Sequence, residues 1–346
     1  MPGKRAIFAI PDNKYLFFMN GKPSFVPKIL KGCVRNILLR KNIIVMKKHL
    51  LLSAFLPILV FSVGAQQPDT ASIIVHYKFS HLPDTTNRQN IHTENMLLLV
   101  GKRSTAYKSY DARLAALDVK RQILEQMAAN GPDGKINIIQ KNTGIGTEYY
   151  VFPDENKLIR REKPLIDSYQ MAEPIPAITW QISTDTATFG GMHCQKAYSH
   201  FKGRDYTAWF CPDIPFHGGP WKLSGLPGLI LEAYDAKKQV VFNFDGIEDV
   251  SKMAAPAKTA DDVAQPFHVI KLPGMDDMDE DPRLIAVPRD AIKTTAPEFA
   301  KLKAAMDKDP NAFIGPNGPH MGLPPMPVKP GQRPVENNPI ELPENK

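Results

Sequence analysis

Several signatures of catalysis and metal binding are missing from this chain. No Gly-x-Ser-x-Gly pentapeptide occurs, so His217-Gly-Gly-Pro220, similar to the oxyanion loop of α/β-hydrolases, has no nucleophile elbow to serve. Cysteine is scarce, at Cys33, Cys194 and Cys211 only, and one pair without a second nearby makes a poor zinc site. Asp277, Asp279 and Asp281 alternate as in a calcium loop, but Pro282 and Pro288 stand where that loop needs glycine and glutamate. The run Asp276–Asp281 therefore reads as a solvated acidic loop. Gly144-Ile-Gly146 lacks the third glycine of a dinucleotide loop, Tyr149 standing in its place. The soft donors Met192-His-Cys194 and His320-Met321 have no second supporting pair. No cofactor and no metal is expected, and no internal repeat is present. The remaining Ser, His and Asp form no local nucleophile–base–acid pattern. Triads are assembled in space rather than in sequence, so a hydrolase stays third among the functions weighed below.

Long apolar runs are also absent. The longest, Leu50 to Val63, is interrupted by Ser53, Pro57 and Ser62 and falls short of the roughly 17 to 25 residues that span a bilayer as a helix. It follows the basic start Met46-Lys-Lys-His49 and precedes the small residues Val63-Gly-Ala65. That is the layout of a secretory signal peptide over 46–65, cut between Ala65 and Gln66. Residues 1–45 lie upstream of it and read as a start assigned too early. Export places the mature chain, 66–346, in the periplasm or on the periplasmic face of the outer membrane, with no transmembrane span once the signal is removed.

A net positive charge is missing from that mature chain. The whole sequence carries 43 Lys and Arg against 36 Asp and Glu, a net of +7. Residues 1–65 hold eleven of the cations and a single acid, Asp12, which leaves 66–346 near −3. The basic balance belongs to the leader and gives no support for nucleic-acid binding.

What is present is β-pattern. Twelve runs read as strands between about residue 71 and residue 271, separated by Gly, Pro, Asn or Asp at all-β spacing. They include Ser72–Phe79, Asn95–Gly101, Ile136–Gln140, Ile178–Ile182, His193–Phe201, Asp205–Cys211, Gly228–Tyr234 and Phe267–Lys271. A helix is predicted over Ala112–Ala129, where Leu114, Leu117, Ile123, Leu124 and Met127 recur near helical spacing ahead of Asn130-Gly131. A second covers Pro297–Lys308, with proline in its first turn. Ten of the chain's 32 prolines follow Asp309, a density that forbids regular ladders and predicts a flexible tail over 310–346. Residues 66–309 make one β-rich domain.

The cysteines sit on a hairpin. Phe201-Lys-Gly-Arg204 predicts a two-residue turn with Gly203 at a positive φ. Counting outward places His200 opposite Asp205, Lys196 opposite Trp209 and Cys194 opposite Cys211. The last is a non-hydrogen-bonded site, where Cα atoms lie about 4.5 Å apart, inside the range a disulfide accepts. In an exported bacterial protein this pair is expected to be oxidised, which would stabilise by about 3 kcal/mol in the chain-entropy model.

Five short pieces occur in order: Gln195-Lys-Ala197, Ala208-Trp-Phe210, Ile214-Pro215, Gly219-Pro-Trp221 and Ser224-Gly-Leu-Pro-Gly-Leu-Ile-Leu231. Together they strongly resemble the GLPGLI family, secreted proteins of Gram-negative bacteria with no agreed activity. The ending Asn338-Pro-Ile-Glu-Leu342 resembles the same family, which leaves docking of the chain end open beside the flexible tail. Cys211 departs from the family pattern, so no family function rests on the disulfide. The motif residues Gly225, Leu226, Pro227, Gly228, Leu229 and Ile230 read as a tight turn followed by a buried strand, a packing role ahead of a ligand-binding one.

The fold expected is mainly β: a curved antiparallel sheet or open half-barrel with one or two covering helices and a Pro-rich C-terminal tail. It is similar in plan to the half-barrels of periplasmic lipoprotein carriers, a fold-level analogy. The leading functional expectation is non-enzymatic binding of an apolar or lipid-like ligand by the curved sheet, with a helix such as Ala112–Ala129 over its concave side. The alternative is an accessory subunit docking on an outer-membrane protein through a sheet edge or the tail.

Overall fold

The computed structural model describes residues 68–131, 137, 146–164, 167–254, 281–289, 291–309, 311–314 and 336–344. The upstream extension, the signal segment with Ala65 and Gln66, the strand expected at Phe267–Lys271, and nearly all of Ile136–Gln140 lie outside the described residues. So do most of the acidic run and the prolines between Pro310 and Pro334.

Strands dominate. In chain order they are β1 (Asp69–Thr70), β2 (Ile73–His81), β3 (His92–Val100), β4 (Thr105–Ser109), β5 (Thr147–Phe152), β6 (Lys157–Glu162), β7 (Tyr169–Pro174) and β8 (Gln181–Phe189). There follow β9 (Met192–Phe201), β10 (Arg204–Cys211), β11 (Leu229–Asp235), β12 (Val240–Asp249), β13 (Leu284–Ile285) and β14 (Ile292–Thr294). Twelve of them form one sheet in the order β14-β7-β6-β5-β4-β3-β2-β12-β11-β10-β9-β8, and β1 pairs with β13 separately. Every pairing in the large sheet is antiparallel except that of β14 with β7. Neighbours in sequence are mostly neighbours in the sheet because short turns permit only that.

The alternation that marks the strands also sorts their faces. On β2, Val75, Tyr77 and Phe79 are buried and enter the main core; on β3, Met96, Leu98 and Val100 do the same. The opposite face carries a second cluster with Leu99, Ala106, Tyr150 and Ile159. Residues two apart share a face, so the β2–β4 region is apolar on both sides.

The sheet is curled rather than flat. Trp221 lies in the connection between β10 and β11, with ring centroids 5.6 Å from Phe201 on β9, 6.2 Å from Tyr206 on β10 and 6.4 Å from Phe242 on β12. It also shares a side-chain hydrogen bond with Tyr149 on β5. Strands β5 and β9 stand seven places apart in the sheet order. A flat sheet would put them roughly 30 Å apart, so one indole reaches both only if the sheet wraps around it. The strands remain an open sheet, with β14 and β8 as its edges.

The chain's own connection, Pro212 to Gly228, fills the wrapped space. Ile214, Trp221, Leu223 and Leu226 are buried in the main core together with Leu229, Ile230 and Leu231 of β11. The helix expected on that face lies elsewhere. It forms as α1 (Tyr110–Asn130), with the Ser109 side chain accepting from the Ala112 amide as its N-cap and Gly131 at φ +76° after its end. Its buried residues are Val119, Ile123 and Met127, a cluster of their own, while Leu114, Leu117 and Leu124 are exposed. The helical period was legible in the sequence; the side it buries was not, because aliphatic residues occur on more than one face. The second helix, α2 (Ala296–Lys308), starts at a capping box of Thr295 and Glu298 and buries Phe299 and Met306 against Tyr169 and Met171 of β7. No described helix is long and apolar enough to cross a membrane.

The tail ends in contact with the domain. A tail solvated throughout is not what the structure has: Asn338 is buried, and residues 336–344 are hydrogen-bonded to the ends of β2 and the β9–β10 turn. Prolines 339 and 343 do not oppose this, since the segment joins no ladder and is held largely through its carbonyl groups and side chains.

Candidate functional site

The β9–β10 hairpin positions everything that follows. Lys202 and Gly203 adopt φ of +52° and +68° at its tip, the two-residue turn that suits the strands' twist. Pairing runs from Phe201 opposite Arg204 to Gln195 opposite Phe210, the register expected from the turn. Asp205 stands opposite His200 and bonds its Nδ1 at 2.6 Å. Lys196 stands opposite Trp209, its ammonium 5.3 Å from that ring's centroid. Both are cross-strand pairs.

One step further, Cys194 and Cys211 are side by side and fully buried. The structure holds both as free thiols, so the disulfide expected from the register is absent from it. Burial pushes Cys194 up to about 12, with the Cys211 sulfur adding to the effect. A thiol so far above neutrality stays protonated and reacts slowly.

After Cys211 the chain must turn back under the sheet, and glycines make that possible. Gly228 has φ +148°, and a Cβ there would stand 2.3 Å from the Cys211 carbonyl oxygen. A Cβ on Gly219 would meet the Leu223 carbonyl at 2.7 Å. These contacts are the reason for glycine at both positions. The motif thus does structural work: Leu226, Leu229 and Ile230 are buried, Gly225 and Pro227 are exposed at the bend, and Tyr77 on β2 donates its hydroxyl to the Ile230 carbonyl. Burial pushes that phenol far above its ordinary value, so it remains a donor.

Beside the exposed bend the structure leaves an opening of about 300 Å³. Its apolar wall is Val151, Pro153, Ile175, Pro176 and Ile178; its polar side is His217, Thr179 and Ser224. Trp180 follows Thr179 of that lining in sequence, its indole N–H donating to the Ser224 carbonyl at 2.8 Å. A smaller void of about 20 Å³ lies behind, lined in part by His217, Trp221 and Leu158, room for about one water. His217 donates from Nδ1 to the Leu226 carbonyl at 3.1 Å, which fixes the tautomer and leaves the lone pair on Nε2. The opening stands at the low end of small-molecule sites. Among the described residues the hydrogen bond of His217 is to the Leu226 carbonyl and not to a nucleophile or an acid, and the mainly apolar lining is suited to holding a small apolar group. Among the described residues, no cluster of three or more His, Cys, Asp or Glu could hold a metal ion.

A second arrangement escaped sequence reading. Arg204, directly after the turn, is buried and reaches Asp235 at 2.9 Å, the Asn338 side chain at 2.8 Å and the Pro339 and Ile340 carbonyls at 2.7 and 2.9 Å. Lys222, next to Trp221, is equally buried and lies between Glu173 at 3.1 Å and Glu341 at 2.8 Å. Burial works to raise Glu341, but Lys222 and Lys202 outweigh it and hold the carboxyl below its ordinary value. The one sequence signal was the family-like ending Asn338–Leu342, with nothing to say where it docks.

The fold and site define a strand-rich domain whose open, curled sheet is plugged by its own β10–β11 connection. A family described as a protein of unknown function (Porph_ging) matches residues 196–232, the stretch from β9 through the plug to β11. Two solved structures of PNGF-II, in space groups P21 and C2, are similar at 10% and 9% identity, each with a TM-score of 0.40. The matches cover 67% of this chain and 33% of each of those, so the chain spans about a third of their length. A likeness of that degree carries no argument about activity. No curated protein matches the chain.

Proposed function

We propose that this is an exported, non-enzymatic binding protein of the GLPGLI type, and that the opening beside the motif bend takes a small apolar or lipid-like group. The observation that carries the reading is the apolar wall of Val151, Pro153, Ile175, Pro176 and Ile178 facing His217 and Ser224. Apolar lining with a few fixed polar groups is the usual make-up of a ligand site. The volume of about 300 Å³ limits the occupant to a ring or the end of an acyl chain. The filled interior leaves the concave face to the protein's own side chains, so the ligand is carried at the rim.

Trp180 gives the test, because its indole is bonded to Ser224 of the lining. Titration with fatty acids of graded length should change Trp180 emission saturably, while Trp180→Phe removes the signal and Ile178→Trp, which fills the opening, abolishes binding. No saturable change, together with equal native and denatured masses for protein taken from its envelope, would sink the reading. The denatured mass also tests export, which requires a mature chain beginning at Gln66.

In an oxidising envelope we further propose that Cys194 and Cys211 close into a disulfide. Two protons and two electrons leave, accepted by a thiol–disulfide oxidoreductase. Protein denatured in the presence of an alkylating reagent should then show no labelled thiol until it is reduced, and two labelled cysteines before reduction would refute it. Docking on an outer-membrane protein is the second reading, favoured by β8, a nine-residue edge strand exposed along most of its length. Loss of association on introducing proline at Thr184 or Thr186 would support it.

A further inference from the structure

We infer that the groove holding residues 336–344 is a peptide-binding site with an exchangeable ligand, and that it accepts the same carboxy-terminal segment from a second copy of this chain. The inference is independent of the ligand reading above.

The segment is bound as a peptide ligand is bound. Among the described residues its hydrogen bonds run to the domain and none lies within the segment. His81 donates to the Asn338 carbonyl at 2.7 Å, and Arg204 takes the next two carbonyls at 2.7 and 2.9 Å. The Asn338 side chain is read from both ends, accepting from Arg204 at 2.8 Å and donating to the Leu82 carbonyl at 2.7 Å. The Leu342 amide donates to the Lys202 carbonyl at 3.1 Å, and Glu344 accepts from the Gly203 amide at 3.0 Å. Glu341 and Glu344 answer Lys222, Lys202 and His200. An acidic peptide of the pattern Asn-Pro-Ile-Glu-Leu-Pro-Glu is what this chemistry selects.

The groove stands without its occupant. Each charged side chain buried in it has a second partner inside the domain. Arg204 keeps Asp235 at 2.9 Å, and Lys222 keeps Glu173 at 3.1 Å. At the surface, His200 keeps Asp205 at 2.6 Å. Removal of the segment therefore strands no buried charge, the event that makes breaking such pairs expensive. What the emptied groove exposes to water is the His81 imidazole, bonded to the Asn338 carbonyl, and the core surface under Ile340.

The tether permits exchange. Residues 315–335 separate the end of the last described helical turn (Asn311–Ile314) from Glu336, and that length of chain spans up to about 70 Å. A domain of this size is about 50 Å across, so the segment can reach a neighbouring molecule's groove. The segment belongs to the same chain as the groove, so a second copy or a free peptide competes against an intramolecular ligand. One molecule alone therefore satisfies itself, and exchange appears at high protein concentration or when the tether is cut.

The experiment places a protease site between Pro325 and Met326 of the full chain and cuts it. The expected result is a domain that keeps its thermal melt, retains the cut segment on gel filtration and trades it for a labelled synthetic peptide of residues 336–346. The same peptide carrying Asn338→Ala should bind at least tenfold more weakly; this change leaves the domain untouched. Uncut chains bearing two different tags should co-purify at high concentration and separate when excess peptide is added. A domain that unfolds on cutting would make the segment part of the core and overturn the inference. A stable cut domain that never exchanges its segment, or tagged chains that never associate, would overturn it equally.

Discussion

The β10–β11 connection and helix α1 divide the work of this fold in an unexpected way. The helix is the regular, well-capped element, yet it buries only Val119, Ile123 and Met127 in a cluster separate from the main core. The connection has no regular structure, yet supplies Ile214, Trp221, Leu223 and Leu226 to the centre of the molecule. Regularity satisfies backbone groups; burial follows apolar surface, and the two need not coincide. An irregular segment can be buried only where its amides and carbonyls find partners. Here Ile230 donates to the Gly218 carbonyl at 2.9 Å, Leu223 to Pro220 at 3.1 Å and Trp180 to Ser224 at 2.8 Å. The price of that arrangement is a set of backbone positions with no tolerance for a side chain.

The largest effect is expected at Trp221. Trp221→Ala removes a ring packed against Phe201, Tyr206 and Phe242 and should destabilise by about 3–5 kcal/mol. Leu124→Ala on the exposed face of α1 should stay within about 0.5 kcal/mol. Urea unfolding of the two variants measures both, and a larger loss for Leu124→Ala would reverse the assignment of core and periphery. Gly228→Ala comes next. The added methyl meets the Cys211 carbonyl, and backbone strain with local overpacking should cost about 2–4 kcal/mol. Gly131→Ala, at φ +76° with open space around its Cβ, is the control for positive-φ strain without the clash and should lose about 1–2 kcal/mol.

Much of this was legible where the physics is local. The Lys202-Gly203 turn fixes the hairpin register because a two-residue loop admits one pairing, and alternation on β2, β3 and β9–β12 announced those strands. The misses have equally local causes. Tyr169–Pro174 carries little β-branched sequence and ends in proline, so β7 passed unread; its place at the sheet is secured by β6 on one side and β14 on the other. Strand β8 was read as Ile178–Ile182 but runs Gln181–Phe189; as an edge strand it is polar on both faces and shows no alternation to read. The opening beside His217 and the groove around Arg204 were out of reach for a different reason. Arg204 and Asn338 are 134 residues apart, and no local pattern encodes a contact at that separation.

The smallest effect is expected at the chain end, which is held by hydrogen bonds and ion pairs and by Ile340 against the main core. His200 lies between Asp205 and Glu344, and its side-chain bonds to those two carboxylates raise it above its ordinary value. A group raised on docking favours the docked state below its free value and loses that favour as pH rises through the raised one. Glu344 is lowered by its bonds to the Gly203 amide and to His200. Glu341 is lowered too, Lys222 and Lys202 overcoming the opposing effect of burial. Those two contributions are complete above the ordinary carboxylate range and fade as pH falls through the lowered values. His81 adds an acid limb of its own. Burial lowers it, the Asn338 carbonyl opposing and Arg204 assisting, so docking weakens as pH falls below the free histidine value. Asp84 is lowered by the Thr86 hydroxyl and amide, with the Asn337 side chain a lesser contributor, and loses its hold on Asn337 only in strong acid. Affinity of the 336–346 peptide for the cut domain should therefore peak near neutrality and decline a few-fold on either side, the size expected of exposed ion pairs. His200→Gln should flatten the alkaline limb and leave the acid limb in place. Binding that rises steadily with pH in the unaltered domain would show that His200 does not hold the segment.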